Sequence, residues 1–238
     1  MEYDGTNYHG WQIQKNAVTV QECIENAVKK LTGARPKLSG CGRTDTGVHA
    51  LNYVCSFKTE SQIGCDRFPY AINRFLPEDI VCKEAQEMPE DFDAHKSAVG
   101  KTYIYKIQNS QYPDVFQNNR AWHYRYDLDV EKMQKAAKSF LGTHDFIGFA
   151  AAGFTVKTTV RTINDINVTK DGDLIVISIS GNGFLYNMVR IIAGTLVFVG
   201  NGKIDGEKMD EIIASCDRKR AGITAPPHGL YLSEVYYE

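Results

Sequence analysis

Apolar residues recur at helical spacing early in the chain: Val20, Ile24, Ala27, Val28 and Leu31 fall on one side of a helix of 3.6-residue period. Thr19 stands where an N-cap belongs, with Glu22 three residues on, and Gly33 follows where a helix ends. Ahead of it, Met1 to Tyr3 reads as the end of a short strand entering a turn, Asp4-Gly5-Thr6-Asn7, and then Gly10-Trp11-Gln12. Beyond the helix, Leu51, Tyr53, Cys55 and Phe57 alternate with Asn52, Val54 and Ser56, the period of a strand. Arg67 to Phe75 reads as a helix stopped before Pro77, and Ile80 to Cys82 as a short strand.

The second stretch of chain repeats the mixture. Lys101 to Gln108 alternates cleanly as a strand. Asp127 to Asp129 opens a helix that runs to Phe140 and ends at Gly142. Val160 to Val168 and Leu174 to Ser180 are strands joined by a turn at Lys170-Asp171-Gly172. Phe184 to Val199 is apolar nearly all round and predicts a buried central helix, followed by a polar helix over Glu207 to Cys216 and a strand over Leu230 to Tyr236. Hairpin-like pairs among helices predict an α+β protein with antiparallel sheets. The order suits two ferredoxin-like halves, residues 1–99 and 100–238.

Composition narrows the class. In 238 residues, 27 basic and 29 acidic side chains give a net charge of −2, and 11% aromatics with only 20 Gly and 7 Pro exclude a disordered or linker-like chain. The most apolar run, Met188 to Gly200, is too short for a bilayer span and carries Arg190. The start, MEYDGTNYHG, lacks an apolar leader, and the six Cys form no Cys-x-x-Cys pair, so reduced thiols and a cytoplasmic location are expected. A polyanionic partner has to be held by a local patch, for which Lys29, Lys30, Arg35 and Lys37, then Arg218, Lys219 and Arg220, are the candidates.

The densest polar cluster is Gly42-Arg43-Thr44-Asp45-Thr46-Gly47-Val48-His49. An Asp in a Gly/Thr loop commonly bonds its own backbone, but Arg, Asp and His so close together also suit chemistry. Three chemistries fit. Asp45 and His49 as metal ligands lack further ligands at suitable spacing. Asp45-Thr46-Gly47 matches the aspartic protease signature, which requires a second carboxylate that the chain does not repeat. A single Asp nucleophile or base beside Arg43 needs neither. On the strand from Lys101, the side chains of Lys101, Tyr103 and Tyr105 share one face, which suits base stacking with phosphate contact as well as ordinary sheet packing. Packing is the better reading for Tyr105, and Tyr103 stays a candidate. Arg190 in an apolar helix requires a partner; Asp45 is the candidate carboxylate.

Six stretches together resemble the TruA family of tRNA pseudouridine synthases: Glu2 to Gln14, Gly42 to Ala50, Lys101 to Tyr105, Thr159 to Ile163, Phe184 to Leu196 and Gly229 to Leu232, in the family's order. The resemblance implies the pseudouridine synthase fold, two ferredoxin-like halves with a central cleft. It implies a homodimer that needs no cofactor or metal and isomerises uridines 38, 39 and 40 of the tRNA anticodon stem-loop. By motif position Asp45 is the catalytic aspartate, and Tyr103 stacks on the target base and is the candidate for the final proton removal. Arg190 pairs with Asp45, Leu230 closes an apolar wall, and Arg43 helps hold the flipped nucleotide. The other readings are a non-catalytic RNA-binding module on the same fold and, remotely, an acid protease. Two departures stand out. Met1 lies almost at the first motif, so the first strand is expected to be short. Phe92-Asp93-Ala94-His95 replaces the family's frequent Phe-His-Ala-Arg. With the net charge of −2, this predicts modest, salt-sensitive RNA affinity.

Overall fold

The computed structural model describes residues 1–153 and 156–238. In chain order its regular elements are β1 (Glu2–Tyr3), α1 (Val20–Thr32), β2 (Ser39–Gly40), β3 (His49–Ala50), β4 (Cys55–Ser56), α2 (Phe68–Asn73), β5 (Ile80–Val81), β6 (Ala98–Gln108), β7 (Trp122–His123), α3 (Val130–Ala137), β8 (Gly142–Asp145), β9 (Val160–Asp171), β10 (Leu174–Gly181), α4 (Met188–Gly200), α5 (Met209–Ala214) and β11 (Leu230–Tyr237). Helices and mainly antiparallel strands make this an α+β fold. Among the described residues no helix is long and apolar enough to cross a membrane. The chain divides into two compact units, one of residues 1–99 with 231–238 and one of residues 100–230. The division therefore departs from two contiguous segments: residues 231–238 join the first unit because β11 lies parallel to β3, with Tyr231 opposite His49.

In the first unit β5, β1, β3 and β11 lie side by side, and β2 pairs with β4 in a separate ribbon. α1 forms where the pattern placed it. Thr19 Oγ1 accepts from the Glu22 N–H, and Gly33 closes the helix in the left-handed region at φ 82°. Its buried stripe is Val20, Ile24, Ala27 and Val28. The strand expected over Leu51 to Phe57 is instead broken. Leu51 N–H donates to Leu232 O, Tyr53 N–H to Met1 O, and Val54 O accepts from Cys41 N–H, so the backbone changes partner every residue or two. Only Cys55–Ser56 remains in a regular ladder.

The second unit has longer elements. β6, β10, β9 and β8 form an antiparallel sheet, and the short β7 runs parallel to β6 on its other side. Ile175, Ile177 and Ile179 alternate onto the buried face of β10. α4 is buried over almost its whole length, with Ile191, Ile192, Leu196 and Val197 closed from solvent, and α3 packs against it and against β9. It begins at Met188 and not at Phe184, because Asn187 takes φ 61°, ψ 8° and breaks the helical run. The turn between β9 and β10 falls at Gly172-Asp173, later than expected. The last turn before Gly142 is a 3-10 turn, Lys138–Phe140, and Gly142 opens a strand, β8, that the pattern did not indicate.

Candidate active site

In the first unit, the loop that carries Asp45 is held by the segment between β1 and α1. Thr44 is buried, its Oγ1 is 2.9 Å from the Tyr3 hydroxyl, and its carbonyl accepts from the Trp11 N–H at 3.0 Å. Asp45 O accepts from Val48 N–H at 3.1 Å, closing a tight turn, and Gly47 N–H donates to Tyr8 O at 3.3 Å. Two glycines are required by closeness. A Cβ on Gly5 would lie 2.0 Å from Val48 O, and one on Gly10, whose φ is +80°, would lie 2.4 Å from Thr44 O. The glycines of the first motif thus seat the backbone of the second on either side of Asp45. Under the loop, Trp11 stacks on Tyr53 with centroids 4.1 Å apart, and the Tyr53 hydroxyl donates to Gly42 O. Asp45 itself is half-buried and Arg43 is exposed.

His49 belongs to the base of this loop. It is 2% exposed, its Nδ1 accepts from the Gly5 N–H at 3.0 Å, and its ring stacks on Tyr231 at 4.6 Å. Among the described residues no group of three His, Cys, Asp or Glu side chains is placed to hold a metal ion. Tyr8 is fixed by donating its hydroxyl to Asp79, and burial, with that carboxylate second, pushes its pKa well up. Asp93, one of the departures from the family pattern, caps its own turn. Its Oδ1 accepts from the N–H groups of His95 and Lys96 and from Ser39 Oγ, and these bonds, that of Lys96 first, hold its pKa down.

In the second unit, Tyr103 lies on β6 opposite Ile179 and is half-buried, its ring in a T-shaped pair with Phe184 at 5.2 Å and 84°. Tyr105 shares its face of the strand but is wholly buried. Its hydroxyl donates to Pro226 O at 2.7 Å, and burial raises its pKa against the smaller pull of the Arg190 cation. Arg190 is half-buried on the first turn of α4. Its Nε donates to Ala225 O at 2.7 Å, its Nη1 to Asn187 Oδ1 at 2.6 Å, and its own carbonyl accepts from Ala225 N–H at 3.1 Å. A 3-10 turn, Pro227–Gly229, then leads to Leu230, which is buried at the start of β11.

Sequence reasoning missed the groups that hold Arg190, namely the Asn187 side chain and the Ala225 carbonyl, and the Pro226 carbonyl that holds Tyr105. Asn187 and Phe184 lie within the quoted stretch Phe184 to Leu196, so motif membership was their only signal. Of the basic runs, Lys29, Lys30, Lys37 and Lys219 are exposed, Arg35 pairs with Glu25 at 2.8 Å, and Arg218 is engaged with Gly222 O and Thr224.

Each unit thus holds polar groups by its own packing: in the first a turn locked from both sides around Asp45, in the second the Arg190 guanidinium bonded to Asn187 and Ala225. The family described as tRNA pseudouridine synthase matches residues 1–95 and 136–238. The tRNA pseudouridine synthase A of Acetivibrio thermocellus is 56% identical over 237 residues, covering 100% of this chain and 97% of that protein. Those of Ruminiclostridium cellulolyticum and a Thermoanaerobacter species are 55% and 52% identical, again over 100% of this chain and 97% of theirs. The chain belongs to the tRNA pseudouridine synthase family and is an isomerase of that kind. An aspartic protease built on Asp45-Thr46-Gly47 is thereby set aside.

Proposed function

We propose that the chain converts uridine to pseudouridine at positions 38, 39 and 40 of the tRNA anticodon stem-loop, with Asp45 as the catalytic carboxylate. The target uridine leaves its stack, at a cost of a few kcal/mol, and lies on the Tyr103 ring. Asp45 opens the reaction at the sugar, by attack on C1′ or by removal of the 2′ proton, and the C1′–N1 bond breaks. The uracil turns and C1′ bonds to C5 as the Asp45–C1′ bond breaks or, by the other route, as Asp45 returns the 2′ proton; the C5 proton then leaves, with Tyr103 as the candidate base, and the freed N1 takes up a proton. Nothing is added or lost overall, so a single carboxylate suffices. Arg190 keeps Asp45 ionised and aimed, Leu230 supplies an apolar wall that disfavours water, and Arg43 holds the backbone of the flipped nucleotide. The enzyme acts as a cytoplasmic homodimer of two ferredoxin-like halves, without metal or cofactor, and binds RNA through few, salt-sensitive phosphate contacts.

One observation carries this reading. The family's Asp-bearing motif forms a turn whose neighbours on both sides, Thr44 and Val48, are buried against glycines of another family motif, while Asp45 stays accessible. A loop that merely bound RNA has no need of such rigidity around one carboxylate. The test is tritium release from tRNA labelled at uridine C5. Asp45→Ala is expected to bind tRNA normally and release no tritium. Turnover by that variant would refute the assignment, and wild-type protein that bound tRNA without releasing tritium would favour the non-catalytic module.

A further inference from the structure

Asn187 departs from local backbone rules in two ways, three residues ahead of Arg190. It is a non-glycine residue in the left-handed region, at φ 61°, a conformation that Asn tolerates better than other side chains but that Gly adopts more freely. It also stands at the N-cap of α4, where an Asn side chain ordinarily accepts from the first turn's N–H groups and stabilises the helix, yet it makes no such bond. Its Oδ1 instead accepts from Arg190 Nη1 at 2.6 Å. Unfavourable local choices of this kind collect at functional positions, where another requirement outweighs them.

We propose that Asn187 is a positioning residue that fixes the Arg190 guanidinium through a neutral oxygen. From this backbone position Oδ1 accepts from Nη1, while Ala225 O accepts from Nε. Two bonds at two different nitrogens fix both the place and the plane of the guanidinium. An uncharged acceptor does this without neutralising the cation. An Asp at the same place would hold it equally well, but would spend its field on a carboxylate that takes no part in the reaction. Gly fits the backbone better than Asn and lacks the oxygen.

This inference rests on the proposed role of Arg190, and the variants are chosen to separate the two. Asn187→Gly is expected to melt no lower than the wild type, because the strained backbone is relieved. Its kcat for tritium release falls about 10- to 100-fold, while KM and tRNA affinity stay within about twofold. Asn187→Asp, which tolerates the same backbone and keeps an acceptor, also loses kcat. Wild-type kcat in Asn187→Gly would overturn the inference, and so would full activity in Asn187→Asp. Arg190→Ala provides the separation. If it is inactive while Asn187→Gly is fully active, only the role of Asn187 fails. If Arg190→Ala is itself active, the proposed part of Arg190 in the reaction fails.

Discussion

The two units hold their chemical groups by different means. In the first, the ordered strands near Asp45 are two residues long, and the turn is fixed by single-residue devices: two close-packed glycines, a Trp–Tyr stack and a buried His. In the second, Tyr103 sits on an 11-residue strand and Arg190 on a 13-residue helix, so regular hydrogen bonding positions their backbones, and Asn187 and Ala225 add the aim of the Arg190 guanidinium. A site held by regular elements can lose one packing contact and keep its geometry. A turn held by interlocks cannot, because the glycines and Trp11 touch the backbone around Asp45 directly.

Gly10→Ala tests this most severely. The added carbon meets Thr44 O and sits at a positive φ, so a loss of roughly 3 kcal/mol or more is expected, together with most of the turnover of the molecules that remain folded. Thermal melting and tritium release measure the two effects, and a stable, active variant would show that the turn tolerates movement. Leu196→Ala is the counterpart in the second unit. Leu196 is fully buried on α4, and its truncation is expected to cost about 3 kcal/mol while leaving kcat per folded molecule unchanged. A fall in kcat as large as that of Gly10→Ala would erase the contrast.

The smallest expected effect concerns alkaline pH. Burial pushes the Cys55 thiol from 9.0 up to about 12, and burial raises Tyr8, Tyr53, Cys82 and Tyr237 in the same unit. A pKa raised on folding means that the unfolded chain ionises first. For Cys55 the stabilisation is complete below pH 9 and is lost as pH climbs from 9 through about 12. Tyr105 is the raised group described in the second unit. Hydrogen exchange followed by peptide at rising pH is therefore expected to open residues 1–99 and 231–238 before residues 100–230. The reverse order would contradict it.

The same contrast explains what was legible in the sequence. α1 was readable because its cap, apolar stripe and terminal glycine all act within a few residues. The stretch 51–57 was not, since its hydrogen bonds go to Met1, Cys41 and Leu232, and alternation of side chains says nothing about changing partners. On β6 the shared face of Tyr103 and Tyr105 was evident from the period of two. Which of them is covered depends on Pro226 and its neighbours, which lie more than a hundred residues away. The cluster around Asp45 announced itself by polar density. Asn187 did not, because it interrupts a helical pattern without changing its hydrophobicity, and a side chain bonded across the first helical turn has no period to detect.

The return of residues 231–238 to the first unit bears on how the chain is made. On the ribosome, residues 1–99 emerge first but lack β11, the neighbour that flanks β3 and places Tyr231 against His49. Residues 100–230, the other compact unit, are synthesised before that strand. Of the two units, the one begun first is thus the last able to finish folding, and His49 at the base of the Asp45 loop gains its Tyr231 neighbour only after residues 100–230 have been made.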